Sequence, residues 1–179
     1  MRGLDLKKRI YVSILLSFLA GILYVNLAAK EVCETNEMFN TYILKQYQSM
    51  EINIGSYFLY ILRVRMFSFG LITALMFTRF RKAAAWASIC WTCFLGGFLM
   101  TMGVLCMGIK GSLFCLLGGF PHVVLYLIAS VVVLWYGLIY PRGHWDIQKT
   151  IFITGMMLTG IFLEAYINPV IMKVFISVL

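Results

Sequence analysis

Long apolar runs constrain this chain more than any other feature of its sequence. The first run covers residues 10–29 and follows the basic start MRGLDLKKR. About 20 predominantly apolar residues suffice for a helix to cross a bilayer core about 30 Å thick. A secretory signal peptide has a shorter apolar region and a cleavage site of small residues, and neither is found here. The run therefore predicts a retained transmembrane helix.

The composition extends this prediction to the whole chain. Of the 179 residues, 62% are hydrophobic and 12% are charged, whereas soluble domains average about 45–50% apolar and about 25% charged residues. A soluble fold of this size could not cover so much apolar surface. We therefore expect an integral membrane protein. The net charge of +8 is assigned to topology and to contact with anionic lipid headgroups, not to nucleic-acid binding.

Four further apolar runs predict an all-α, polytopic bundle of about five transmembrane helices. They cover residues from near 57 to 80, 83–107, 113–140 and 150–172, and whether the segment 57–80 spans fully is left open. Basic residues concentrate on the cytoplasmic side of membrane proteins, which predicts an inside N-terminus and an outside C-terminus. The residues that set this orientation are Lys7, Lys8, Arg9, Arg79, Arg81 and Lys82.

Residues 30–65 form the one substantial polar stretch. The chain is predicted to be a single integral membrane domain over 1–179, with 30–65 as an extracytoplasmic amphipathic loop inside it. The spacing of apolar residues in the loop suits helices that lie at the membrane interface. Arg63 and Arg65, at its end, are expected to extend their side chains toward the outer headgroups.

Glycine and other small residues predict tight turns and close helix packing. GIKGS, residues 108–112, is expected to form a tight turn. Small side chains inside the apolar runs, such as Gly97, Gly103 and Gly155, allow close contact between helices in lipid. They favour a compact bundle and self-association.

The cysteines offer a weak chemical signal. Cys90 and Cys93 form a CxxC pattern within SICWTCF. Because this pattern lies in an apolar run without a second CxxC or a nearby histidine, packing is the favoured interpretation over redox or metal chemistry. Cys33 lies in the polar stretch and has no obvious partner.

Pro121 and His122 mark the first candidate site. The stretch GGFPH would break or kink a helix at membrane depth. A histidine just after such a break suits a proton relay, a metal ligand or a hydrogen-bond clamp, and the clamp is the favoured interpretation. His144, the second histidine, falls on the opposite side of the membrane in the predicted topology.

Glu164 and Pro169, in GIFLEAYINPVIMK, mark the second candidate site. An ionisable residue inside a membrane span is costly and suggests a function. Its cost falls if it faces the bundle, is protonated, or pairs with a cation or with freed backbone N–H groups. Pro169 removes one backbone donor and disturbs the helix. We expect Glu164 to act as a polar anchor for this break, within the chain or from a partner helix, in preference to transport or catalysis.

No motif of a soluble enzyme is present. The sequence lacks GxSxG, Walker A, HExxH and a glycine-rich dinucleotide turn, and these carry the chemistry of the major hydrolase and nucleotide-binding classes. The prediction is a non-enzymatic protein with no catalytic residues, cofactor or metal site.

Two motifs resemble the stage II sporulation protein M family. The tail LEAYINPVIMK is similar to the closing motif of that family, with the match on Glu164, Ala165, Tyr166, Pro169, Met172 and Lys173. GGFPHVVLYLIAS resembles its central proline segment, with Pro121 and His122 at matching positions. The resemblance covers nearly the whole chain. The basic second segment, with Arg63 and Arg65 beside RFRK, departs from the family pattern.

The resemblance implies a multi-pass cell-membrane scaffold of endospore formation. Such proteins lie in the membrane of the sporulation septum and recruit the peptidoglycan-degrading stage II sporulation proteins D and P for engulfment of the forespore. The partners carry out the peptidoglycan remodelling, and the motif residues would serve structural roles.

Two alternatives stay open at this point. Relatives in the same broad family accompany ATPase subunits in bacteriocin export and immunity, so the chain could be the membrane subunit of such a system. An intramembrane enzyme that uses His122 and Glu164 is the least favoured. Gene neighbourhood would separate scaffold from export.

Overall fold

The computed structural model describes residues 2–27, 46, 53–141 and 143–178, and within them the chain is helical with no strand. The helices are α1 (Arg2–Leu27), α2 (Ile54–Met76), α3 (Arg81–Met107), α4 (Ile109–Gly119), α5 (His122–Ile139), α6 (Ile147–Phe162), a π-helical turn (Leu163–Ile167) and α7 (Asn168–Val178).

Five spans in the described part of the chain are long and apolar enough to cross a membrane. They are Leu6–Leu27, Ile54–Met76, Arg81–Met107, His122–Ile139 and Ile147–Ser177. The predicted all-α fold with about five transmembrane helices is thus confirmed. The second span contains 23 residues, enough for a bilayer core. The orientation of the termini stays a prediction.

The helices group into two compact units, Met1–Gln46 with Trp86–Cys115 and Tyr47–Ala85 with Leu116–Leu179. The single domain over 1–179 stays a prediction. Most of the predicted loop 30–65 (residues 30–45 and 47–52) lies outside the described residues, as does Cys33. Its last part, residues 54–65, belongs to α2.

In the first unit, α1 and α3 approach each other at two glycines. A Cβ atom added to Gly21 would lie 2.9 Å from the backbone nitrogen of Phe98, and one added to Gly97 would lie 3.1 Å from the carbonyl carbon of Phe18. A side chain at either position would therefore push the backbones apart. The predicted packing through small residues is confirmed at Gly97, whereas Gly155 has nothing within 4 Å of an added Cβ.

The turn between α3 and α4 is shorter than predicted. Gly108 alone reverses the chain, with φ of 63°, and α4 resumes at Ile109. Residues with a Cβ rarely adopt this left-handed conformation. The two helices then meet at Gly103 and Gly111, where a Cβ added to Gly103 would lie 2.7 Å from the carbonyl oxygen of Gly111. The predicted turn over 108–112 is corrected to one residue.

In the second unit, α5 and α6 form the most extensive helix pair. Residues 140–146 connect them, so they run antiparallel. The predicted span 113–140 is interrupted, because α4 ends at Gly119 and α5 begins at His122. The predicted break at Pro121 is confirmed. The span begins afresh at His122 because proline cannot continue the backbone hydrogen bonds of α4.

At one end of this unit, aromatic rings surround the chain reversals that follow α2 and α5. The rings of Tyr136 and Trp145 lie 4.9 Å apart, and that of Phe77 lies 5.3 Å from Trp145. The guanidinium of Arg81 stands 3.4 Å from the centre of the Tyr140 ring. Tyrosine and tryptophan favour membrane–water interfaces, which agrees with the boundary predicted from Arg79, Arg81 and Lys82.

Candidate functional site

Glu164 lies on a local widening of the last membrane span. Residues Leu163–Ile167 form a π-helical turn between α6 and α7. The backbone N–H of Asn168 bonds to the carbonyl of Leu163, five residues back. Pro169 explains the position of this turn, because it has no N–H for the carbonyl of Ala165 and its ring would crowd that carbonyl. The helix widens and then continues to Val178.

Arg65 of α2 binds the Glu164 carboxylate with two nitrogens. Its Nε donates to Oε2 at 2.9 Å, and its Nη2 donates to Oε1. This parallel, two-bond arrangement is the strong form of an arginine–carboxylate pair. The side chain of Glu164 is only 11% exposed, against 42% for Arg65. The carboxylate is enclosed by protein, and its counter-charge comes from a different span.

Tyr126 of α5 completes the cluster. Its hydroxyl donates to Glu164 Oε2 at 2.7 Å, and its ring centre lies 5.3 Å from the Arg65 guanidinium carbon, within cation–π range. Gly160 makes room for this ring, since an added Cβ would lie 3.0 Å from Tyr126 Cδ1. α2, α5 and the π-helical turn thus meet at the Glu164 carboxylate.

The ion pair lies midway along two of the five apolar spans. Arg65 is eleven residues from each end of the helix Ile54–Met76, or about 16 Å at 1.5 Å per residue. Ile61, Ile161 and Ala165 form a buried apolar cluster, and Tyr126 packs against it. An isolated charge at this depth is costly, and mutual pairing with satisfied hydrogen bonds lowers that cost.

His122 lies one helical turn before Tyr126. It is 3% exposed, and its ring meets that of Tyr126 edge-on at 5.8 Å between centres. Its Nδ1 has no hydrogen-bond partner among the described residues. The hydrogen-bond clamp predicted for His122 is therefore not observed at Nδ1. His122 and Glu164 contact the same tyrosine, so the two candidate sites predicted separately form one site.

Other predicted motif residues lie outside the cluster. Tyr166 is 41% exposed, and its ring stacks on that of Phe162 with the ring centres 4.6 Å apart. Pro169 shapes the π-helical turn, and Pro121 separates α4 from α5. Lys7, Lys8 and Arg9 are exposed on α1. No group of three or more metal-ligating side chains occurs in the described ranges.

Two predictions about charge are corrected. Arg65 was expected to reach the outer headgroups, but it lies in the middle of α2 and binds Glu164. Glu164 was expected to satisfy backbone groups freed by Pro169, but its oxygens accept from the side chains of Arg65 and Tyr126. The π-helical turn explains this, because it already gives the Asn168 N–H a carbonyl partner.

Sequence reasoning missed Arg65 and Tyr126 as members of the site. One signal was available: the chain has one carboxylate inside a predicted apolar span and two arginines, Arg63 and Arg65, at the edge of another. Opposite charges in membrane spans favour pairing. Tyr126 gave no such signal, since tyrosines are common in this chain.

The cluster consists of an ion pair between Arg65 and Glu164 and a hydrogen bond from Tyr126 to the same carboxylate. Both carboxylate oxygens of Glu164 accept from protein donors. This arrangement links three helical elements.

Comparison of the chain with models of protein families, with curated proteins and with solved structures found no match. The resemblance to the stage II sporulation protein M family stays a prediction.

Proposed function

We propose that the chain is a non-enzymatic, multi-pass membrane scaffold of endospore formation. In this proposal it lies in the septal and engulfing membranes and holds the peptidoglycan-degrading stage II sporulation proteins D and P in place. The resemblance of LEAYINPVIMK and GGFPHVVLYLIAS to the motifs of the stage II sporulation protein M family is the basis for naming these partners.

The observation that carries the proposal is that both oxygens of the Glu164 carboxylate accept hydrogen bonds from protein side chains. Glu164 belongs to the closing motif, and its two oxygens are held by Arg65 and Tyr126. A general acid or a transport carboxylate must bind and release a proton or a substrate. A carboxylate fixed by two charged hydrogen bonds and a tyrosine instead serves to hold helices together, as a scaffold requires.

The break at Pro121 fits the same role. It ends α4 at Gly119 and starts α5 at His122, which places Tyr126 one turn into α5. From there the hydroxyl reaches Glu164 at 2.7 Å. Both family-like motifs thus contribute to one helix-locking cluster, which gives each motif a structural task.

The test is retention of the hydrolase partners. The tagged chain is expressed in a sporulating bacterium that lacks its own stage II sporulation protein M, and the captured proteins and engulfment are scored. The proposal predicts that proteins D and P co-purify and that engulfment is restored. Arg65→Leu should lose both, whereas Arg63→Leu, which alters an exposed arginine on the same helix, should retain them.

Two outcomes would contradict the proposal. One is that a stable, membrane-inserted wild-type chain captures neither partner and leaves engulfment blocked. The other is that the chain co-purifies with an ATPase subunit, which would assign it to a peptide export or immunity system.

A further inference from the structure

A second pair of polar groups lies beside the ion-paired cluster. Within the described ranges, two buried side-chain atoms have no hydrogen-bond partner, and they are Nδ1 of His122 and Oδ1 of Asn168. Most buried polar atoms in proteins are paired, and an unpaired one lowers stability. Two such atoms in one small region therefore require an explanation.

The register of the helices places these two residues at the same level. α5 and the last span run antiparallel, and Tyr126 bonds to Glu164. Four residues back from Tyr126 is His122, and four residues on from Glu164 is Asn168. Because the two helices are antiparallel, the step back to His122 and the step forward to Asn168 move toward the same end of the helix pair.

A contact between α4 and α7, beyond the break at Pro121, agrees with this placement. Four residues before His122 is Gly118, and four residues after Asn168 is Met172. A Cβ added to Gly118 would lie 3.4 Å from Met172 Sδ. His122 and Asn168 thus lie between two observed contacts, Tyr126 with Glu164 and Gly118 with Met172.

We propose that His122 and Asn168 form a binding site for a water molecule inside the membrane-spanning part of the protein. The water donates one hydrogen to Asn168 Oδ1 and shares a hydrogen bond with His122 Nδ1, in the direction set by the imidazole tautomer. Buried waters of this kind typically make about three bonds to otherwise unsatisfied groups.

This site would give the cluster a hydrated side. His122, which would hold the water, precedes Tyr126 by one helical turn and contacts its ring, and the Tyr126 hydroxyl binds Glu164. The ion pair of Arg65 and Glu164 would then border polar solvent as well as apolar side chains. The inference does not depend on the scaffold function, since it rests on the two buried polar atoms and on how the helices pack.

The chain allows a direct test because it contains two histidines. His144 is exposed in the loop before α6, so His144→Gln leaves His122 as the sole histidine. The full-length variant, labelled with ¹⁵N in the histidine ring, is placed in lipid bilayers. Solid-state NMR then measures magnetisation transfer from water protons to Nδ1. The wild-type chain supplies the control, since exposed His144 should receive magnetisation quickly.

Three results are expected. His122 Nδ1 receives magnetisation from water, more slowly than His144 does. Asn168→Leu lowers that transfer at least about threefold, because a buried water needs two or more polar partners. Asn168→Asp keeps an acceptor oxygen and should keep the transfer.

Three results would overturn the proposal. The first is no transfer from water to His122 Nδ1 in the His144→Gln chain, a measurement that needs no change at the site itself. The second is an unchanged transfer in Asn168→Leu. The third is an Nδ1 chemical shift typical of a hydrogen bond without water transfer, which would indicate a direct bond between His122 and Asn168.

Discussion

Arg65 and Glu164 are 99 residues apart in the sequence and are joined by two parallel hydrogen bonds between different membrane spans. Each charge would be costly alone at this depth. Together they form a link between α2 and the π-helical turn, and the Tyr126 hydroxyl extends that link to α5. The Tyr126–Glu164 hydrogen bond thus connects the two elements that carry the family-like motifs, and the ion pair joins α2 to them.

Glu164→Gln tests whether the charge of this carboxylate matters. Glutamine keeps the side-chain length and hydrogen-bonding atoms but leaves the Arg65 guanidinium without a counter-charge. We expect a loss of unfolding free energy of about 2–3 kcal/mol, since an unpaired charge midway along a membrane span is costly. Thermal unfolding in detergent and protein level in the membrane measure it. Unchanged stability would support the simpler polar anchor expected from the sequence.

Tyr126→Phe tests the third member of the cluster. It removes the hydroxyl that donates to Glu164 Oε2 at 2.7 Å and keeps the ring near Arg65. Hydrogen bonds to charged groups contribute about 1.5–3 kcal/mol, and we expect a loss of unfolding free energy in that range. Tyr60→Phe is the matched control because Tyr60 is exposed on α2. Equal effects of the two changes would contradict a role of the hydroxyl.

Gly21→Ala tests the close packing of α1 and α3. The added methyl would lie 2.9 Å from the backbone nitrogen of Phe98, and overpacking of this kind costs about 1–3 kcal/mol. Gly70→Ala and Gly155→Ala are controls, since nothing lies within 4 Å of an added Cβ at either position. These two should be neutral or slightly stabilising, because alanine favours helix over glycine. Comparable melting temperatures for all three variants would refute the close approach.

Gly108→Ala tests the turn between α3 and α4. The position has space for a methyl group but a φ of 63°, so the effect comes from the backbone alone. A left-handed residue with a Cβ costs about 1–2 kcal/mol. We expect a destabilisation of this size by thermal unfolding, and Gly108→Asn should recover part of it because asparagine tolerates this conformation. A neutral alanine variant would mean that the turn adopts another backbone conformation.

The predicted orientation is tested by labelling single cysteines in a chain whose native cysteines are replaced. Thr35→Cys should react with an impermeant reagent from outside, and His144→Cys should react only after permeabilisation. The basis is the set of basic residues at 7–9 and 79–82. The reverse pattern would show that the N-terminus lies outside.

The sequence predicted the helices well because the signals are local. A run of about 20 apolar residues identifies a span by itself, and Pro121 and Gly108 each act on their own backbone. The Arg65–Glu164 pair is different, since it depends on which helices pack together and in which register. Pro169 indicated a disturbed helix, but not that a π-helical turn would absorb it. Tyr126 joined the site only because Gly160 leaves space for its ring.

The most direct test of the ion pair is a double-mutant cycle of unfolding free energies in lipid bicelles. The proteins are the wild type, Arg65→Leu, Glu164→Leu and the double variant. Each single change leaves one charge unpaired and should cost about 3 kcal/mol, whereas the double change removes both charges. We predict that the double variant is more stable than either single variant, with a coupling of about 3 kcal/mol or more. Additive effects within about 0.5 kcal/mol would contradict the pairing of Arg65 with Glu164.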